Sequence, residues 1–157
     1  MSVAVYVSGD VSSREVISAQ EVISGAIHDG TSPDVRLIPS NLELGFDVNI
    51  ALNTVSTLTS VAAFVYTLIS AKQRSNEQPG MGQFPDDSDQ AYRRAKSSMN
   101  EVTPPGVQAS VQPASRPDGG MGWAMMFEYP AGKNYTVIVQ RIADGEFDAS
   151  IQQVRGD

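Results

Sequence analysis

The stretch VNIALNTVSTLTSVAAFVYTLISA, residues 48 to 71, does most to decide how this chain of 157 residues folds. It holds 24 residues without a charged side chain, between Asp47 and Lys72. Its apolar residues recur every three or four positions, which is the period of one face of an α-helix. The members of that stripe are Val48, Ala51, Val55, Leu58, Ala62, Val65 and Ile69. The pattern predicts a long helix that packs one face against a sheet.

The opposite face of this predicted helix is small, polar and uncharged. It carries Asn49, Asn53, Ser56 and Ser60, whereas a solvated helix face usually carries Lys and Glu. Three interpretations remain open: a core helix of a monomer, a helix shared with a second protomer or partner, and a membrane segment. The length matches the roughly 20 residues that span a bilayer core, but the polar side chains are unfavourable in hydrocarbon.

The residues before this helix predict a strand, a helix and a second strand. Val3 to Val7 is a short β-branched run, and Ser12 with Glu15 fits a capping box that begins a helix over 12–29. Val35 to Ile38, between two prolines, predicts the second strand. This order is typical of a right-handed β-α-β unit.

The residues after the helix divide into an arm and a meander. Residues 75–122 are rich in Pro and Gly, so we expect irregular structure there apart from a short surface helix over about 87–100. Residues 123–157 contain three β-rich runs separated by turns, at 123–129, 135–142 and 147–154. We expect this antiparallel meander to extend the amino-terminal sheet. The predicted fold class is therefore α+β: a single two-layer domain, 1–157, made of a 1–74 βαβ-plus-helix unit, the 75–122 arm and the 123–157 meander.

Composition argues against several kinds of chemistry. The chain has no Cys and only one His, His28, so thiolate metal sites and Cys-His or Ser-His catalysis lack their parts. The acidic trio Asp86, Asp87 and Asp89 is interpreted as a helix cap. We therefore predict no catalytic residue, no metal site and no cofactor. The net charge of −7 also disfavours binding to nucleic acid.

The order of these segments resembles the effector-associated constant component 1 family of bacterial conflict systems. The resemblance covers residues 3–74, including the strand 34–39 and the small-residue helix 52–74, together with the later strand 135–141. It implies a non-catalytic adaptor that couples to an effector. The Pro-rich residues 75–122 depart from the family pattern, and no functional residue is carried over.

Together these features predict a non-catalytic, cytoplasmic adaptor or assembly subunit that binds another protein or itself. The expected contacts are the uncharged helix 48–71 and the Pro-rich arm, through Asn49, Asn53, Ser56, Ser60, Tyr92 and Trp123. One alternative is a membrane-associated accessory protein with residues 48–71 inserted in the bilayer. Another is a structural subunit of a virion or secretion machine.

Overall fold

Over the residues that it describes, the computed structural model contains one mixed sheet and three helices. It describes residues 2–26, 34–40, 52–74, 90–114, 122–130, 132–143 and 145–155. In chain order the elements are β1 (Ser2–Gly9), α1 (Ser13–Ala26), β2 (Asp34–Pro39), α2 (Leu52–Arg74), α3 (Gln90–Val102), β3 (Gln108–Pro113), β4 (Gly122–Glu128), β5 (Lys133–Ala143) and β6 (Glu146–Arg155). The predicted mixed architecture, with an amino-terminal β-α-β unit, a long helix and a carboxy-terminal antiparallel series, is confirmed.

The β-α-β unit forms as the sequence predicts, and its helix begins at the expected capping box. The Ser12 backbone N–H donates to the Glu15 carboxylate at 2.9 Å, and the Glu15 N–H donates to Ser12 Oγ at 3.2 Å. Each side chain thus satisfies a backbone amide that the first helical turn leaves free. β1 and β2 pair in parallel around this helix.

The carboxy-terminal strands contain one more member than the sequence predicts. The arm was expected to hold no strand after its helix, but Gln108–Pro113 forms β3, which pairs antiparallel with β4. β3 is an edge strand with one buried side chain, Val111. Its residues are mostly polar, so its sequence does not show the alternation of apolar and polar residues that is typical of a strand. A proline at its end is tolerated because an edge strand has one side without ladder partners.

All six strands belong to one sheet, in the order β2-β1-β6-β5-β4-β3. β6 pairs in parallel with β1, so the expected extension of the amino-terminal sheet by the meander is confirmed. Gly9 is necessary at this junction. Its φ is +105°, and a Cβ there would lie 2.0 Å from the Ile151 carbonyl oxygen. Only glycine fits such a close approach of two backbones.

The strands bury alternate side chains on one face, against the helices. The largest fully buried side chains include Trp123, Tyr92, Phe64, Phe127 and Phe147. α2 packs between α1 and α3. The predicted surface helix of the arm is α3, and its Ala91, Tyr92, Ala95 and Met99 are buried, so it belongs to the core layer. In this two-layer arrangement the side of α2 that faces away from the sheet is the outer side of the helix layer.

Candidate functional site

Five of the six residues predicted to make contacts are described, and they separate into two groups. Asn53 and Ser56 are half-buried on α2, where a partner can reach them. Ser60, Tyr92 and Trp123 are at most 1% exposed. Asn49 lies outside the described residues. Side chains as buried as those three offer no surface to a partner in this conformation.

Tyr92 and Trp123 instead form an aromatic cluster around Phe64 of α2. The Phe64 ring lies 6.0 Å from the Tyr92 ring and 5.7 Å from the Trp123 ring, both edge to face. The Tyr92 hydroxyl donates to the Val111 carbonyl at 3.2 Å, which ties α3 to the edge strand β3. Within the described residues Trp123 Nε1 has no acceptor. Aromatic pairs of this geometry stabilise a core beyond their buried area.

The buried side of α2 carries hydroxyl groups that are used inside the fold. The Tyr129 hydroxyl donates to the Asn53 carbonyl at 2.8 Å, and Thr57 Oγ1 lies 2.7 Å from Tyr129 Oη. Thr54 donates to the Tyr135 hydroxyl at 3.3 Å. These bonds join the first turns of α2 to the ends of β4 and β5, so the polar groups at this end of the helix serve folding.

Ser60 serves the same purpose one turn further along. Its hydroxyl donates to the Ser56 carbonyl at 3.0 Å and lies 3.3 Å from Thr103 Oγ1, just after α3. Helical periodicity predicts Ser60 on the outer face if α2 contacts only the sheet. α3 also packs against α2 and covers that side, so the buried arc is wider than the apolar stripe.

Burial changes the acid-base behaviour of one of these groups. Desolvation raises the pKa of the Tyr129 hydroxyl above its ordinary value of 10.0, and the nearby Tyr135 raises it further, while the hydrogen bond with Thr57 opposes the change. Tyr129 is therefore neutral near pH 7, as a hydrogen-bond donor to a carbonyl must be.

The outer stripe of α2 forms the floor of an open groove. α1 provides one wall and α3 the other, and the volume is about 190 Å³. The floor consists mainly of Thr59, Ala63, Tyr66 and Thr67, and the walls include Ile23, Ser98, Glu101 and Val102. Among the described lining residues Glu101 alone is charged. We call this feature the α2 groove.

Exposed apolar side chains lie on the walls of the α2 groove. Val102, a lining residue, is 42% exposed. On α1, Val22 is 49% exposed and precedes the lining residue Ile23. Gln20 reaches the outer edge of β2, and Val22 lies about 200° further around the helix, on the flank of α1 away from that edge. The groove therefore has exposed apolar surface on its α3 wall at Val102, and α1 carries a further exposed apolar side chain at Val22.

Sequence reasoning missed most residues of this groove. It identified the uncharged outer face through Asn53 and Ser56, but not the next residues along that face, Thr59, Ala63 and Tyr66. The available signal was the continuation of the same helical spacing from Ser56 to Thr59 and Ala63. The walls of the groove depend on how α1 and α3 pack, which local periodicity does not encode.

The described residues also bear on metal binding and on membrane insertion. Within the described ranges no group of three or more His, Asp or Glu side chains is placed to hold a metal ion. Leu52–Ile69 is long and apolar enough to cross a bilayer, but 56% of that window is buried inside the fold. The core helix of a soluble protein passes the same length test, so membrane insertion stays a prediction.

Comparisons with known proteins found no relative. No family model, no curated protein and no solved structure matches this chain. The resemblance to the effector-associated constant component 1 family therefore also stays a prediction.

Proposed function

We propose that this chain is a protein-binding adaptor or assembly subunit, and that the α2 groove is its contact surface. The observation that carries the proposal is an uncharged helix stripe, exposed between two helices that add apolar side chains to its walls. Apolar side chains beside this stripe are exposed, and exposed apolar patches commonly mark interaction sites.

The volume of the groove favours a protein partner over a small molecule. Drug-sized ligands occupy pockets of roughly 300 to 1,000 Å³, whereas this groove holds about 190 Å³. That space suits one or two apolar side chains that anchor a larger interface, as buried anchors do at protein contacts. The exposed Val102 adds apolar surface to the groove wall, and Val22 on α1 offers an exposed apolar side chain outside the groove.

The shape of the site favours a helix as the bound segment. A groove along one helix, between two others, accepts an amphipathic helix whose apolar residues recur at three- and four-residue spacing. Charge adds a second requirement. Glu101 is exposed on the wall and the chain carries a net charge of −7, so a helix with basic residues beside its apolar stripe is favoured.

The test uses two synthetic helices with the same leucine stripe, one with lysines on the remaining face and the other with glutamates. Fluorescence anisotropy is measured against the wild-type chain, Ala63→Lys and Asn100→Lys. Ala63→Lys places a long cationic side chain in the groove, and Asn100→Lys adds the same charge at an exposed α3 position outside the groove lining.

The proposal predicts that wild type and Asn100→Lys bind the lysine helix more tightly than the glutamate helix, and that Ala63→Lys loses this binding. Equal binding of the lysine helix by all three proteins would show that the groove is not the contact surface. No binding to wild type would contradict the proposed class of partner.

A further inference from the structure

The outer edge of β2 is occupied by a side chain from α1. The Leu37 backbone N–H donates to Gln20 Oε1 at 2.6 Å, and Gln20 Nε2 donates to the Val35 carbonyl at 2.9 Å. Among the described strands β2 lies at the edge of the sheet, and its other side pairs with β1. The primary amide of Gln20 therefore makes the two bonds that one residue of a neighbouring parallel strand would make.

The orientation of this amide is set by a third bond. Gln20 Nε2 also lies 3.3 Å from Ser24 Oγ, one helical turn further along α1. With the nitrogen held between the Ser24 hydroxyl and the Val35 carbonyl, the amide oxygen is directed at the Leu37 N–H. The amide thus uses its acceptor and both of its donor hydrogens. The Val35 carbonyl and the Leu37 N–H at the outer edge of β2 are therefore already hydrogen-bonded.

A second feature of β2 opposes pairing with another copy of this chain. Arg36 lies between Val35 and Leu37, and its side chain is exposed. If two copies joined their β2 edges antiparallel about a two-fold axis at residue 36, the two Arg36 side chains would lie directly opposite one another. Like charges in that position are destabilising, and charged residues on edge strands commonly prevent association.

We propose that Gln20 is a gatekeeper that keeps the β2 edge from pairing with β2 of a second copy, with Arg36 as a supporting charge. The strand that it excludes is β2 of another copy. Antiparallel pairing of two β2 strands would place the backbone N–H and C=O groups of Val35 in one copy opposite those of Leu37 in the other. This inference concerns the sheet edge and is independent of the α2 groove.

The absence of cysteine from the natural sequence permits a direct test. Arg36→Cys supplies one reporter thiol per chain and also removes the opposing charge. In the antiparallel dimer the two Cys side chains would form a non-hydrogen-bonded pair, with Cα atoms about 4.5 Å apart, within the range that a disulfide bridges. The variants are Arg36→Cys alone, Arg36→Cys with Gln20→Leu, and Arg36→Cys with Glu21→Leu.

The proposal predicts that the reduced variant with Arg36→Cys and Gln20→Leu associates into dimers. Its mass by light scattering should rise with concentration towards twice the monomer mass. Adding the oxidant diamide should then give a disulfide-linked dimer only in the variant that contains Gln20→Leu. The Glu21→Leu control adds the same leucine to a neighbouring exposed position of α1 and should remain monomeric. A monomeric, uncross-linked Gln20→Leu protein with native circular dichroism would overturn the proposal, and so would equal cross-linking in all three proteins.

Gln20→Asn provides a second variant in case the leucine prevents folding. It keeps the amide but shortens the side chain by one methylene group, so the bonds to β2 are lost with little change in polarity. Hydrogen exchange of the Leu37 amide, measured on protein dilute enough to be monomeric, should be slow in wild type and faster in Gln20→Asn, and the same dimerisation should appear at higher concentration. Unchanged Leu37 exchange in the dilute monomer would overturn the gatekeeper role.

Discussion

The two sides of α2 contain similar residues but use them in different ways. On the buried side Thr57 contacts the Tyr129 hydroxyl, and Ser60 contacts Thr103. On the outer side the hydroxyl of Thr59 donates to the carbonyl of Val55 within the same helix, and Thr59 lines the α2 groove. A small polar residue on a helix is therefore not by itself evidence of a binding surface, because its neighbours decide its role.

The two sides of α2 also differ in why residues 52–71 carry no charged side chain. One side must enter the core beside α1, α3 and the sheet, where an unpaired charge would be costly. The outer side is not under that constraint, and its lack of charge is the feature that the proposed function explains.

Phe64→Ala should show how much the buried side of α2 contributes to folding. Phe64 is fully buried between Tyr92 and Trp123, so its removal leaves a cavity among aromatic rings. We expect a loss of about 3 to 5 kcal/mol in the free energy of unfolding, measured by urea denaturation. A loss below about 1 kcal/mol, the size of a typical point substitution, would contradict this packing.

A matched pair of threonine substitutions should distinguish the two sides directly. Thr57→Val removes the hydroxyl that contacts Tyr129 and leaves a buried phenol with one partner fewer, so we expect a loss of about 1 to 3 kcal/mol. Thr59→Val removes a hydroxyl bonded only within its own helix and should change stability by no more than about 0.5 kcal/mol. Equal losses in the two variants would contradict the assignment of the two sides.

The raised pKa of Tyr129 predicts how stability depends on pH. The unfolded phenol titrates near pH 10.0, and the folded one titrates at higher pH. The contribution of this group is therefore fully present below pH 10 and is lost as the pH rises through the folded pKa. Urea denaturation from pH 8 to pH 11 should show this decline in wild type and a smaller one in Tyr129→Phe. Identical pH profiles would indicate that Tyr129 titrates normally.

Ala63→Lys should have the smallest effect on stability, although it is expected to abolish binding. Ala63 is half-buried on the floor of the groove, and a lysine there can extend its ammonium group into water. The free energy of unfolding should change by about 0.5 kcal/mol or less, measured by urea denaturation beside Asn100→Lys. A large destabilisation would mean that the groove is part of the core.

Much of the fold could be predicted because its signals are local. The Ser12 and Glu15 capping box, the β-branched run of β1 and the periodicity of α2 each depend on residues within one or two turns. β3 was missed because its sequence is polar and its strand character comes from pairing with β4. Burial of Trp123 depends on Phe64 and Phe147, which are distant in sequence.

The candidate site was less predictable for the same reason. The uncharged face was visible through Asn53 and Ser56, but the groove exists only once α1 and α3 stand on either side of α2. The Gln20 contacts with β2 join residues 15 and 17 positions apart, and helical spacing gives no indication of them.

The most direct test of the central claim is to map where the lysine helix binds, by backbone amide chemical shifts of the isotope-labelled chain. The account predicts that the largest changes occur at Thr59, Ala63 and Tyr66 and extend to Val102. Changes concentrated instead at Thr136 and Ile138, on the sheet face opposite the helices, would contradict it.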